Sequence, residues 1–190
     1  MDANLGVEIG MRRLIAYVLV LLAPSVAHAA LDIGDRAPDF TAPAALGGRV
    51  YKFSLADALR KGPVVLYFFP AAFTKGCTVE AHEFAEATDD FNRMGATVIG
   101  MAADPIDKLN RFSVEECRNK FAVGVATPAM IKGYDVALEA GLIPNVTGRT
   151  NRTSYVVAPN GRIIFVHSEL GVAGHVSGAM TAVKAWKAQH

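Results

Sequence analysis

Residues Val64-Val-Leu-Tyr-Phe-Phe69 are apolar at every position, and Pro70 follows them. A short apolar run without alternation predicts a strand buried on both faces, which requires helices on both sides of its sheet. Beyond Pro70 the pattern changes. Cys77, Ala81, Phe84, Thr88 and Phe91 recur at helical spacing, and Gly95 closes the stretch. A buried strand, a tight turn and a helix are therefore predicted in succession, with Cys77 in the helix's first turn. Glu80, Glu83, Glu86 and Asp90 are expected towards other, largely solvated faces.

That place gives Cys77 a local reason to react. The thiolate is the nucleophilic form, and a helix N-terminus offers unpaired N–H groups and the positive end of a dipole. Thr74 can set a hydroxyl beside the sulfur, and Pro70 can wall the pocket against water. The competing reading is a small buried cysteine with no chemistry.

The spacing of Pro70, Thr74 and Cys77 resembles the active-site motif of peroxiredoxins. Gly76-Cys-Thr-Val-Glu-Ala81 resembles their bacterioferritin-comigratory, or Q-type, branch, and Ile33-Gly-Asp-Arg-Ala-Pro-Asp-Phe40 is similar to the family's usual opening. The resemblance implies a thiol-dependent peroxidase acting on hydrogen peroxide and organic hydroperoxides. Cys77 would be oxidised to a sulfenic acid. Thr74 would hydrogen-bond the sulfur and the peroxide, and Pro70 would shield the product. The family's arginine, just before a late strand, matches Arg152-Thr-Ser-Tyr155, with Arg149, Arg162 and Arg111 left as surface charges. A guanidinium is a fixed fork of donors with a permanent charge. Glu80 is expected to orient Arg152 or cap the helix.

One position departs from the branch. Many Q-type members carry a second cysteine five residues after the first, and here that residue is His82. Cys117 is then the intramolecular candidate to resolve the sulfenic acid, where some Q-type relatives place such a residue. Helical projection puts Cys117 on the stripe of Ile106, Leu109 and Ser113, which is the alternative, core reading.

The rest of the chain suits a thioredoxin-like α/β fold, a central mixed sheet flanked by helices with an N-terminal β-hairpin. Gly47-Gly48 reads as the hairpin turn. Ser54 reads as an N-cap, as does Asp104 before Pro105. Residues 96–102 read as a second central strand. A short helix is expected around Val136–Ala140. Strands over 152–158 and 162–167 flank Asn160-Gly161, and a closing helix from His175 to Ala188 carries the stripe Val176, Met180, Val183 and Trp186.

Two domain-level segments follow. Residues 1–29 read as an N-terminal extension and signal peptide: Arg12-Arg13, a short apolar run, then Ala27-His-Ala29. Residues 30–190 form one domain. Export, to the periplasm if the source is bacterial, with no membrane anchor after cleavage, is the expectation. An oxidising compartment suits a disulfide between two cysteines. The net charge of +1 offers no field for nucleic acid. The expected partners are a peroxide and a thioredoxin-like or small-thiol reductant, and the protein is expected as a monomer or weak homodimer. No cofactor or metal is expected. Two rival readings stand on the same scaffold. A thiol–disulfide oxidoreductase needs Cys-x-x-Cys, but Thr74 occupies the first place. A copper-binding domain needs a second nearby soft ligand, which is missing.

Overall fold

The computed structural model describes residues 30–139 and 148–190. The elements are β1 (Thr41–Leu46), β2 (Arg49–Ser54), α1 (Leu55–Leu59), β3 (Val64–Phe68), α2 (Lys75–Arg93), β4 (Thr97–Ala102), α3 (Ile106–Glu115), β5 (Ala122–Val125), α4 (Pro128–Gly133), β6 (Thr153–Val157), β7 (Ile163–Ser168) and α5 (His175–Lys187). The strands form one mixed sheet in the order β2-β1-β5-β4-β3-β6-β7. β3 lies parallel to β4 and antiparallel to β6.

β3 is buried along its whole length. Its side chains divide by parity, as the two-residue period of a strand demands. Val64, Leu66 and Phe68 enter one core layer with α1 and α4. Val65 and Tyr67, followed by Phe69, enter the other with α2, α3 and α5. Both cysteines belong to this second layer. β3 thereby delivers the chain to the head of α2 from a strand locked on both faces.

The Gly47-Gly48 turn has φ of +57° and +83°, the left-handed pair a two-residue hairpin favours. Its hairpin joins the sheet through β1 and β5. Ser54 caps α1, its Oγ accepting from the Asp57 N–H at 3.2 Å.

Four sequence expectations change. Residues 136–139 are not helical: the Leu138 N–H donates to the Arg149 carbonyl and the Asn151 N–H to that of Val136, holding this stretch extended. The short helix lies earlier, at α4, where Thr127 accepts from the Met130 N–H and Pro128 takes the first position. Asp104 does not cap α3, because its carboxylate is engaged elsewhere, as described below; Pro105 holds the cap position. Glu80 is fully buried rather than solvated. The inward stripe of α5 is His175, Ala179 and Val183, rotated by one residue at its start, while Trp186 stacks on His190. His175 is admitted because polar partners await it inside. Residues 1–29, with the proposed cleavage site, and 140–147 lie outside the described residues.

Candidate active site

The turn after β3 is fixed by two side chains from distant segments. Thr150 Oγ1 donates to the Phe69 carbonyl at 2.6 Å, and Asp104 Oδ2 accepts the Ala72 N–H at 2.8 Å. Lys108 Nζ holds the other Asp104 oxygen at 2.7 Å. Phe73 then adopts φ +66°, which a bulky residue rarely does. Its ring is held edge-on against Phe112, with the Arg111 guanidinium 5.2 Å from the ring centre on another side. Pro70 is half-buried where β3 ends.

Thr74 is the N-cap residue of α2, yet its hydroxyl does not cap the helix. Its Oγ1 donates to the Ala71 carbonyl at 3.0 Å. The side chain thus leaves the first-turn N–H groups of α2 without the usual side-chain acceptor. Cys77 lies in that turn and is 2% exposed.

Arg152, one residue before β6, reaches Cys77 across the sheet. Each of its nitrogens has a separate task. Nη2 donates to Cys77 Sγ at 3.6 Å, Nε to the Leu170 carbonyl at 2.9 Å, and Nη1 to Glu80 Oε2. Gly76 makes room for this approach, since a Cβ there would lie 3.1 Å from Arg152 Nη2. Arg152 is 5% exposed and Glu80 not at all. One buried guanidinium therefore faces two acids, a thiol and a carboxyl.

Behind Glu80 lies a polar group the sequence did not disclose. His175 Nδ1 is 3.8 Å from Glu80 Oε1 and 2.8 Å from Ser154 Oγ, while Nε2 is 3.1 Å from the Glu169 carbonyl. Burial raises the Glu80 carboxyl to about 8, although Arg152 opposes the change. Burial lowers His175 to about 4.

The structure brings Pro70, Thr74, Cys77 and Arg152 to one end of the sheet, and Glu80 Oε2 accepts from Arg152 Nη1. Cys117 is a free thiol just beyond α3, fully buried in the same core layer as Cys77. Burial and the neighbouring Glu116 push its thiol well above the ordinary range. His82 is partly exposed and bonds the Glu116 carboxylate at 2.8 Å. Asp104, Ser154 and His175 were missed in the sequence. Asp104 reads as a cap before a proline, and a lone serine or histidine carries no local signal of its partners.

Residues 33–166 match the AhpC/TSA family. The chain is 28% identical over 145 residues to peroxiredoxin Bcp of Escherichia coli, covering 76% of this chain and 90% of the relative. Among solved structures, peroxidoxin BcpB of Mycobacterium tuberculosis is similar with a TM-score of 0.71 at 27% identity, covering 82% of this chain and 97% of that one. A cysteine-to-serine mutant of PrxQ from Xylella fastidiosa gives 0.69 at 25% identity, with the same shares. The fold, the candidate site and these relatives converge: the chain belongs to the AhpC/TSA family of peroxiredoxins, in its Bcp or Q-type branch, and is a thiol-dependent peroxidase.

Proposed function

We propose that Cys77 is the peroxidatic thiolate and that Arg152 and Thr74 place the peroxide against it. The observation that carries this reading is the contact of Arg152 Nη2 with Cys77 Sγ at the head of α2. In the reaction the thiolate attacks one peroxide oxygen and an S–O bond forms as the O–O bond breaks. Two electrons pass from sulfur to the leaving oxygen, which takes a proton and departs as water or an alcohol. The sulfur becomes a sulfenic acid. The guanidinium bears on the sulfur as its charge moves outwards, the kind of fixed donor that favours such a transition state. The Thr74 hydroxyl can exchange the Ala71 carbonyl for a peroxide oxygen. Pro70, at the end of β3, shields the product from water.

Cys117 then attacks the sulfenic sulfur, releasing water and forming a Cys77–Cys117 disulfide. Because Cys117 is fully buried just beyond α3, the step requires local opening of the 115–120 segment. A thioredoxin-like protein or a small thiol restores both cysteines. The protein works as a monomer or weak homodimer, exported after cleavage at Ala29, as the charged, apolar and small-residue succession of residues 11–29 suggests.

Mixing reduced protein with hydrogen peroxide and following intact mass tests the scheme. Gain of one oxygen, then its loss with two hydrogens as a cross-linked Cys77–Cys117 peptide pair appears, is the expected course. Oxygen retained on Cys77 with Cys117 still alkylatable would mean a single-cysteine enzyme that depends on an external thiol. Turnover surviving Cys77→Ser would overturn the assignment of the nucleophile.

A further inference from the structure

The reacting groups hang from two separate stretches of chain. Pro70, Thr74 and Cys77 belong to the turn and helix that leave β3, and Arg152 stands at the entry to β6. The paired register of these two strands ends at Phe68 and Thr153, before either group of residues begins. Pro70 has no N–H with which to continue the pairing. Beyond that limit one side chain still spans the gap: Thr150 Oγ1 donates to the Phe69 carbonyl at 2.6 Å. Phe69 is the residue before Pro70, and Thr150 stands two residues before Arg152.

We propose that Thr150 is a positioning residue for peroxide reduction: its hydroxyl fixes how far the Arg152 guanidinium stands from the turn that carries Thr74 and Cys77. This inference rests on the assignment of Cys77 and Arg152 made above. A peroxide held in line for attack is gripped from both stretches at once, by Arg152 Nη2 from one and by the head of α2 from the other. Nη2 lies 3.6 Å from Cys77 Sγ. A relative displacement of about 1 Å between groups that must act together can cost about a hundredfold in rate.

Both ends of the Thr150 bond are anchored, so it transmits position. Thr150 is fully buried. On either side of it the backbone is tied to the 136–138 stretch: the Leu138 N–H donates to the Arg149 carbonyl at 2.9 Å and the Asn151 N–H to the Val136 carbonyl at 2.7 Å. Phe69 is held as firmly. Its N–H donates to the Met101 carbonyl at 3.0 Å, and its ring lies against those of Tyr67 and Phe112. The branched side chain of threonine is stiff at its first torsion, which leaves the oxygen little freedom between the two backbones. The contacts of Arg152 with Glu80 and Leu170 orient the guanidinium itself, whereas Thr150 acts on the backbone from which it hangs.

The same bond satisfies a buried carbonyl, which is a purely structural service. Two reactions of Cys77 separate that service from positioning. Alkylation by iodoacetamide, read by mass on peptides at a pH where its rate has levelled off, needs only the thiolate and room to approach. Oxidation by hydrogen peroxide at the same pH needs both halves of the site. Thr150→Val keeps the shape and removes the hydroxyl. It should slow oxidation about tenfold while alkylation stays within about twofold of the parent rate. Thr150→Ser keeps the donor and should restore most of the oxidation rate. In an Arg152→Ala background Thr150→Val should have little further effect, because the group it helps to place is gone. If Thr150→Val does not fold, Thr150→Ala serves, as does the valine variant in sucrose, which favours the compact state.

Folded Thr150→Val or Thr150→Ala protein that oxidises at the parent rate would overturn the proposal. So would alkylation that falls by the same factor as oxidation, a serine variant no faster than the valine one, or an equal loss in the Arg152→Ala background. The underlying assignment is read separately. If Cys77→Ser still turns over, or Arg152→Ala alone oxidises at the parent rate, that assignment fails whatever Thr150 does.

Discussion

His82 Nε2 and Glu116 Oε2, 2.8 Å apart, tie the middle of α2 to the residue immediately before Cys117. Two further pairs continue the seam: Arg118 Nη1 to Glu86 Oε1 at 3.3 Å and Lys120 Nζ to Asp89 Oδ2 at 2.8 Å. Between them the backbone of Arg118 and Asn119 is left-handed, with φ of 52° and 58°. The histidine that stands where many Q-type chains have a second cysteine thus helps hold the segment carrying the only other cysteine.

If that segment must open for a Cys77–Cys117 disulfide, loosening the seam should hasten the bond. Glu116→Gln removes the most enclosed of the three carboxylates. A partly exposed pair is worth on the order of 0.2–1 kcal/mol, so disulfide formation after a peroxide pulse should accelerate by about 1.4- to fivefold. Native-state alkylation of Cys117 in the reduced protein should rise by a similar factor. Both rates unchanged would mean that opening is limited elsewhere.

The carboxylate of Asp104 joins the start of α3 to the turn before Cys77. Asp104→Ala leaves the Ala72 N–H without its charged acceptor and Lys108 without its partner. A hydrogen bond to a charged group contributes about 1.5–3 kcal/mol. Denaturant midpoints should report a loss of that order. Because Phe73 keeps its left-handed backbone only while the turn is held, peroxide oxidation of Cys77 should slow as well. Asp104→Asn retains an acceptor and should recover part of both.

The buried carboxyl also sets a slope of stability against pH. Glu80 rises from 4.5 in the free state to about 8 in the fold, so its contribution is complete below pH 4.5 and is lost as pH climbs through 8. His175 falls from 6.5 to about 4, so its contribution is complete above 6.5 and is lost as pH drops through 4. The two oppose each other between pH 4.5 and 6.5. From 6.5 to 8 Glu80 acts without His175, and stability should decline by up to about 2 kcal/mol. Urea midpoints at the two pH values measure it, and Glu80→Gln should remove the decline.

What the sequence disclosed was what lies close along the chain. Pro70, Thr74 and Cys77 share one strand–turn–helix passage, so their meeting is decided by local geometry. Arg152 was legible because its strand context is itself a pattern. Glu80 was read two ways: helical projection sent it to solvent, while the motif paired it with Arg152, and the partner that admits it to the core stands just before β6, far along the chain. β5 has four residues, too few for a period, and α4 has six. The signal for α4 was Thr127-Pro128, a cap followed by a first-position proline. Ser154 and His175 meet only because α5 packs on β6, and no spacing within either segment foretells it.

Arg152 allows the sharpest prediction, because its three nitrogens serve three different acceptors. Arg152→Lys keeps the charge but replaces a planar fork by a single ammonium. That group cannot hold the Leu170 carbonyl, the Glu80 carboxyl and the thiolate in one plane. Peroxide oxidation of Cys77 should therefore fall nearly as far in the lysine variant as in Arg152→Ala. A charge-assisted contact to the transition state is worth about 2–4 kcal/mol, or tens- to hundreds-fold in rate. Arg152→Ala also abandons Glu80, but the carboxyl can take up a proton, so the cost to folding should be smaller than for a buried charge left unpaired, about 3–5 kcal/mol. Pairing Arg152→Ala with Glu80→Gln should recover stability at pH 8 without recovering rate. A lysine variant that oxidises at the parent rate would show that charge alone suffices and that the fork has no part in the chemistry.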